Sequence, residues 1–421
     1  MSNTAQQVSD KAQAGNIKLS QANLPAISDK VKTPAYDRNT IKTGILHISV
    51  GGFHRSHQAV YLDKLFGQNN DVTDWGIYGV SAMPNDKQLY TNLSEQDYLY
   101  SVLTMSQNGI EPQIIGSIID GCFAPENPQS VINKIADNDI KIVSLTITEW
   151  GYYFDANGNL DKTHPDVKND LVNPDKPKTA LFLIVKGLQQ RQQTGGQKLT
   201  LLSCDNLQEN GHVLEKIVGQ IADMIAPEIK GWIAENINFP NSMVDRITPV
   251  FNPDDVAFLS DQCRLEDHCP VRCEPFIQWV IEDKFAAGRP PLEEVGVQFV
   301  ENVAAYEKMK IRLLNANHSA LCYLGYLFGH RYVHEVAQDA DMKIFMRHVM
   351  DEMTPTLDPV PGINVEEYKD ILIERFSNPK IADTLLRICN GGSEKFPKFF
   401  FAALEILMKD KNIMPKYSAM A

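Results

Sequence analysis

Four short apolar runs limit what this chain can become. GILHISV at 44–50, WGIYGV at 75–80, KIVSLTIT at 141–148 and KLTLLSC at 198–204 are brief and rich in β-branched residues. That is the pattern of parallel strands covered on both faces. Helix-length segments such as 57–68 and 128–136 lie between them, and strand–helix alternation predicts a doubly wound, Rossmann-type α/β sheet. From about Glu301 the pattern changes. Segments 301–325, 339–353 and 365–376 read as long helices, with the loop TPTLDPVPG at 354–362 between two of them. The expected layout is a polar N-terminal extension over 1–35, a dinucleotide-binding domain over 36–290 and a mostly α-helical substrate and catalytic domain over 291–421, punctuated by GRPP at 288–291.

Charge narrows the partners. The 421 residues carry a net charge of -13, which argues against nucleic acid or an anionic membrane, since both need clustered cations. The first 35 residues have no apolar core behind a basic start, so no signal peptide is expected. No run approaches the roughly 20 apolar residues of a spanning helix. Seven cysteines with no export signal read as reduced thiols in cytoplasm. Cys263, His268, Cys269 and Cys273 lie close together, but Cys-x5-Cys-x3-Cys fits no common zinc frame. No metal is expected. No heptad or apolar stripe argues for an oligomer, so a monomer is expected.

Two features point to chemistry. The first strand runs into Ser49-Val50-Gly51-Gly52-Phe53-His54 and then a helix. Such a turn lets backbone N–H groups approach a pyrophosphate. The full G-x-G-x-x-G fingerprint is absent: Ser49 stands at the first glycine position and the third glycine is missing. After the second strand, Asp86 is the carboxylate placed to meet ribose hydroxyls, which favours NAD, while Lys87 beside it leaves NADP open.

The second feature is the segment 307–318, EKMKIRLLNANH. At about 100° per residue with Lys310 at zero, Glu307 falls near 60°, His318 near 80° and Asn315 near 140°, with Asn317 near -20° and competing with Asn315. A lysine whose charge is disfavoured by burial can serve as the base for an alcohol proton. Asparagine amides can stabilise the developing alkoxide. Tyr306-x3-Lys310 also matches the tyrosine–lysine pair of short-chain dehydrogenases, but Glu293 stands where that family wants a serine.

Segments 47–62 (HISVGGFHRSHQAVYL), 144–152 (SLTITEWGY), 203–211 (SCDNLQENG), 241–249 (NSMVDRITP), 310–318 and 331–339 (RYVHEVAQD) occur in one order across roughly 35–400. In this the chain resembles the polyol-specific long-chain dehydrogenases. The resemblance implies Lys310 as general base, Asn206 and Asn315 as oxyanion donors, His318 as the substrate-orienting histidine and Glu307 as an acid near the proton exit. It places the phosphate turn at 45–56, Thr148 and Glu149 against the nicotinamide, and Val244, Asp245, Arg387 and Lys395 around the substrate. The implied activity is NAD-dependent, metal-independent oxidation of D-mannitol to D-fructose and its reverse. D-arabinitol/D-xylulose or a hexuronate such as fructuronate are the alternative substrates. Two departures stand out: Ser49 for the usual glycine, and a C-terminus at Ala421 where relatives continue for several helices. The second raises the expectation of a thinned pocket wall, and with it a catalytically impaired binding protein.

Overall fold

The computed structural model describes residues 15–27, 29–155 and 157–421. Its centre is a six-stranded, wholly parallel sheet: β1 (Thr43–Ile48), β2 (Gly76–Ser81), β3 (Ile118–Phe123), β4 (Ile142–Leu145), β5 (Leu199–Ser203) and β6 (Ile237–Asn238). The order across the sheet is β3-β2-β1-β4-β5-β6. This is the doubly wound order, with its switch point between β1 and β4, where such sheets bind ligands at the carboxyl ends of the strands.

Alternation along each strand builds two cores. Leu46, Ile48, Val143 and Leu145 pack with helices Pro128–Ala136, Ala180–Gln193 and Asn210–Ile225 on one face. Ile45, Ile77, Ile142 and Leu202 pack with helix Gln58–Gln68 on the other. The four apolar runs of the sequence are thus β1, β2, β4 and β5. Strand β3 is interrupted by the exposed Asp120 and β6 is two residues long, so neither gives a comparable signal.

Smaller sheets follow. The hairpin of Tyr100–Ser106 with Gly109–Ile115 is joined by Val271–Cys273. Strand β7 (Ser242–Asp245) runs antiparallel to β8 (Gln278–Glu282), which also pairs with β9 (Gln298–Val300). The polar stretch at the N-terminus is part of the fold from Ile17 onward, because Ile17–Lys18 pairs with Leu265–Glu266 and both Leu19 and Val31 are buried. Residues 1–14 lie outside the described residues.

The helical half has its own core, built from 304–327, Ala340–Met353 and Val365–Phe376. The first of these is an α-helix interrupted by a π-helical segment at Lys310–Asn315. Beyond Leu385–Cys389 the chain stays largely helical to Asp410, with Phe400 buried against the helical core. No helix among the described residues is long and apolar enough to cross a membrane.

The turn after β1 is strained where the sequence departs from glycine. Ser49 has a φ of 75°, a left-handed conformation that disfavours an L-residue by roughly 1–2 kcal/mol. Its N–H donates to the Val80 carbonyl at 2.8 Å and its carbonyl accepts from the Thr146 hydroxyl at 2.9 Å, so neighbouring strands hold it there. Glycine would remove the strain but adds roughly 0.5–1 kcal/mol of unfolded-chain freedom. Ser49→Gly is therefore expected to stabilise the protein by about 0.5–1 kcal/mol, read as a raised midpoint in urea unfolding. A lowered midpoint would show that the serine side chain contributes more than the strain removes.

Candidate active site

Two cavities meet at Lys310. The larger, about 530 Å³, reaches from Phe53, Thr146 and Thr148 at the strand ends to His318, Arg387 and Lys395 in the helical half. The smaller, about 330 Å³, extends past Glu307 and Gln208. Asn206, Val244, Lys310 and Asn315 border both. The catalytic set expected from sequence is therefore brought together at the carboxyl end of the sheet.

The π segment explains how. On an uninterrupted α-helix, residues five apart diverge by about 140°. In a π turn the hydrogen bond runs from i to i+5, so Lys310 and Asn315 come onto a common face; such turns recur at functional sites. Asn317, the competitor, is fully buried and donates from Nδ2 to the Met346 carbonyl at 3.2 Å, away from the cavities. Asn315 borders the cavity with Oδ1 unpartnered.

Lys310 is buried. Its Nζ donates to Asn206 Oδ1 at 2.7 Å and to the Val244 carbonyl at 2.7 Å. Burial lowers its pKa below the ordinary 10.5, against the pull of Asp245. Because Asn206 Oδ1 accepts from the lysine, the Asn206 amide N–H groups are left for another acceptor. Burial pushes Glu307 up to about 7, and its carboxylate accepts from the Glu209 N–H at 3.3 Å. His318 is lowered to about 4 by burial, hence neutral, with its ring 4.3 Å from that of Phe376.

The expected substrate residues are present in different states. Arg387 donates to Asp383 Oδ1 at 2.6 Å, and Lys395 to the Ile388 carbonyl at 3.0 Å; both border the larger cavity. Val244 contributes its carbonyl. The carboxylate of Asp245 is held by Arg375 at 2.8 and 2.9 Å. Arg375 escaped the sequence reading. Asp205, which sequence places with Asn206 at a strand end but gives no role, accepts from the Thr148 N–H at 2.7 Å, the Ile147 N–H at 3.2 Å and the Tyr152 hydroxyl at 2.9 Å. Position at the end of a predicted strand, beside Asn206, was the available signal for Asp205. No spacing signal exists for Arg375, 130 residues from its partner.

The dinucleotide residues fit a pyrophosphate-bearing group in part through backbone. Helix Gly52–Ser56 opens directly from the turn, so the N–H groups of Gly52, Phe53 and His54 have no helical carbonyl to bond. These amides lie beside the left-handed Ser49 and the next residues, Val50 and Gly51. The His54 ring itself turns inward: it is buried, stacks on His47 at 3.5 Å between centroids, and has both nitrogens unpartnered. Thr148 and Glu149 border the larger cavity, and Lys398 donates to Glu149 at 3.3 Å. Phe399, from the run whose packing the sequence left open, walls both cavities. Asp86 lies outside them and accepts from the Met83 N–H at 2.9 Å, while Lys87 pairs with Glu126 at 2.7 Å. Among the described residues no group of three His, Cys, Asp or Glu could hold a metal ion. The cysteine cluster is spread between two cores.

Comparison with known proteins agrees with this geometry. Residues 43–294 match the mannitol dehydrogenase Rossmann domain and residues 302–420 the mannitol dehydrogenase C-terminal domain. The mannitol 2-dehydrogenase of Neosartorya fischeri is 46% identical over 400 residues, spanning 92% of this chain and 80% of that protein. That of Aspergillus oryzae is likewise 46% identical with the same coverage. The structure of Pseudomonas fluorescens mannitol 2-dehydrogenase in ternary complex with NAD and D-mannitol aligns with a TM-score of 0.89 at 44% identity, covering 96% of this chain and 82% of that one. A D-sorbitol dehydrogenase in substrate-free form aligns with a TM-score of 0.87 at 37% identity, covering 93% and 82%. The chain belongs to the mannitol dehydrogenase family.

Proposed function

We propose that this protein oxidises D-mannitol to D-fructose with NAD, and catalyses the reverse reaction, using Lys310 as general base and no metal. The observation that carries the reading is the pair of 2.7 Å bonds from Lys310 Nζ to Asn206 Oδ1 and the Val244 carbonyl. A neutral amine has two N–H bonds and one lone pair. With both N–H bonds committed to fixed acceptors, the lone pair is directed into the cavity, where a substrate hydroxyl must sit.

The backbone amides of the turn at 49–54 would hold the pyrophosphate of NAD, which when bound would supply the hydride acceptor. Lys310 removes the proton of the C2 hydroxyl as the carbinol C–H bond breaks. Asn206 Nδ2 and the Asn315 amide donate to the oxygen as negative charge develops there, the role of preorganised oxyanion donors. His318, neutral, accepts or donates at a neighbouring hydroxyl. Glu307, poised near neutrality, passes the proton from Lys310 along the smaller cavity toward solvent. Asp205 fixes the Thr148 turn that borders the nicotinamide side. Asp86, in the turn after β2, is the carboxylate assigned to the adenosine ribose, and the pairing of Lys87 with Glu126 supports NAD over NADP.

A neutral polyol suits the far end better than a uronate. Arg387 is already matched by Asp383, and Lys395 donates to the Ile388 carbonyl. NADH consumption with D-fructose, D-xylulose and D-fructuronate ranks the three readings, and faster turnover of fructuronate than fructose overturns this one. A net charge of -13 and the absence of an apolar stripe support a monomer, and the reduced thiols a cytoplasmic setting.

Lys310→Ala is expected to lower turnover by orders of magnitude while NADH affinity stays within about twofold, measured by fluorescence titration. Retained turnover would remove the lysine from the mechanism. Asn206→Ala and Asn315→Ala should each raise the barrier by roughly 2.7–4 kcal/mol, the scale of one oxyanion donor.

The two directions should respond oppositely to pH. Oxidation needs the free amine, so its rate rises with pH and levels off below the ordinary lysine range, because burial lowers the Lys310 pKa. Ketose reduction needs the ammonium and falls as pH rises through the same region. Paired pH profiles of kcat/KM test this, and an oxidation rate that declines across pH 6 to 9 contradicts it.

A further inference from the structure

A buried guanidinium lies one residue beyond the carbonyl that holds the lysine base. Arg375, at the end of helix Val365–Phe376, grips Asp245 through Nη1 and Nη2 at 2.8 and 2.9 Å, the two parallel bonds of a fork. With its other edge it donates to Glu274 at 2.9 Å from Nε and 2.7 Å from Nη2. Its plane lies 3.9 Å from the centre of the Phe276 ring. The side chains of Arg375, Asp245 and Glu274 are 5%, 5% and 2% exposed. This cluster is buried, and its members are matched to one another.

Its placement gives it a bearing on the chemistry. Val244, whose carbonyl accepts from Lys310, and Asp245 are consecutive on β7, so whatever fixes Asp245 fixes that carbonyl. The next residue of the helix, Phe376, lies against His318. Glu274 is also tied to the same strand's continuation, accepting from the Ile247 N–H at 2.6 Å and donating its own N–H to the Ile247 carbonyl at 3.1 Å.

We propose that Arg375 is a positioning residue for the lysine base: by holding the Asp245 carboxylate in a bidentate clamp it keeps that negative charge from capturing the lysine as a salt-bridged ammonium, and so preserves the free amine between Asn206 and Val244. The proposal rests on Lys310 being the base. A buried lysine beside an unclamped aspartate would gain a charged partner, and its proton would be harder to remove.

The electrostatics agree. Burial raises the Asp245 carboxyl, but the charge and bonds of Arg375 outweigh this and leave it below its usual value. Burial raises Glu274, so it serves chiefly as a bonding partner. For Lys310, burial lowers the pKa, Asp245 raises it and Arg375 lowers it. The other titratable and charged groups bordering the cavities with the amine are Glu307 on its own helix, Asp205 and Glu149 beyond the strand ends, His318, and the cations Arg246, Arg387, Lys395 and Lys398, with His57 close by on the sheet side. The histidines are pushed to about 3 and 4 and are neutral above pH 5. Asp205 and Glu307 titrate near 6 and 7.

The test is the pH midpoint of kcat/KM for mannitol oxidation at saturating NAD in the full-length protein, with Glu307→Gln run alongside to remove that group's own titration. Arg375→Gln should raise the midpoint by about one pH unit, and Asp245→Asn should lower it by a similar amount. The double variant Arg375→Gln/Asp245→Asn should return it near the starting value. A merely structural arginine would reduce stability and kcat with the midpoint unmoved in all three, and that result overturns the proposal. Should Arg375→Gln fail to bind NADH as a folded protein, Asp245→Asn decides alone, because an unmoved midpoint in that variant is equally fatal. Turnover that survives Lys310→Ala, or is absent from the unsubstituted protein, defeats the assignment of the base and the clamp with it. Turnover lost in Lys310→Ala with a midpoint indifferent to Asp245→Asn defeats the clamp alone.

Discussion

The buried amine of Lys310 joins the two halves of the chain. It rises from the helical half and ends on Asn206, just beyond β5, and on Val244 of β7. Burying an ammonium without partners is unfavourable by several kcal/mol, and burying an amine with both N–H groups satisfied is far less so. Burial favours the neutral form, while the same two bonds orient the amine and fix the approach of the helix to the sheet. The proposed catalysis and the packing of the two halves draw on one interaction. The π turn at Lys310–Asn315 follows from this, since it brings Asn315 round to the face on which the lysine is anchored.

Around that amine the charges are graded rather than cancelled. The histidines that face it are neutral, Asp245 is ionised but clamped, and Asp205 and Glu307 sit near 6 and 7 because burial resists their ionisation. In the proposed mechanism a proton leaving Lys310, whose pKa burial lowers, meets Glu307, which burial raises to about 7. The clamped Asp245 is a poorer route, because each of its two oxygens already accepts from Arg375. The proposed direction of proton flow follows from which carboxylate is paired and which is not.

The sheet was legible in the sequence wherever strands were buried on both faces. β1, β2, β4 and β5 are mostly apolar and almost wholly buried, whereas β3 and the two-residue β6 are the edge strands and carry the exposed polar residues Asp120 and Asn238. The lysine–asparagine helix was legible as a segment, but its geometry was not: constant rotation of about 100° per residue spreads Lys310 and Asn315 too far apart, and only the π turn removes the discrepancy. The contest between Asn315 and Asn317 had no solution in periodicity and was settled there by family resemblance. In the structure Asn317 is bound to Met346, on another helix. Arg375 was invisible for a similar reason. It reads as one more charge at the end of an amphipathic helix, and its partners lie 130 and 101 residues away.

The same cleft also concentrates backbone strain. Ser49 and Thr148, at φ of 75° and 60°, follow β1 and β4 on the two sides of the switch point. Left-handed conformations of this kind persist only where surrounding bonds over-determine them. For Thr148 the determinant is Asp205, which takes two consecutive amides, and for Ser49 it is the pair of bonds to Val80 and Thr146. Both turns bend the chain away from the strand ends and open room where a dinucleotide must pass. A glycine at position 49 would adopt this turn without strain; serine adopts it because the neighbouring strands leave no other path. That is why the missing glycine of the fingerprint changes the energy of the turn without changing its shape.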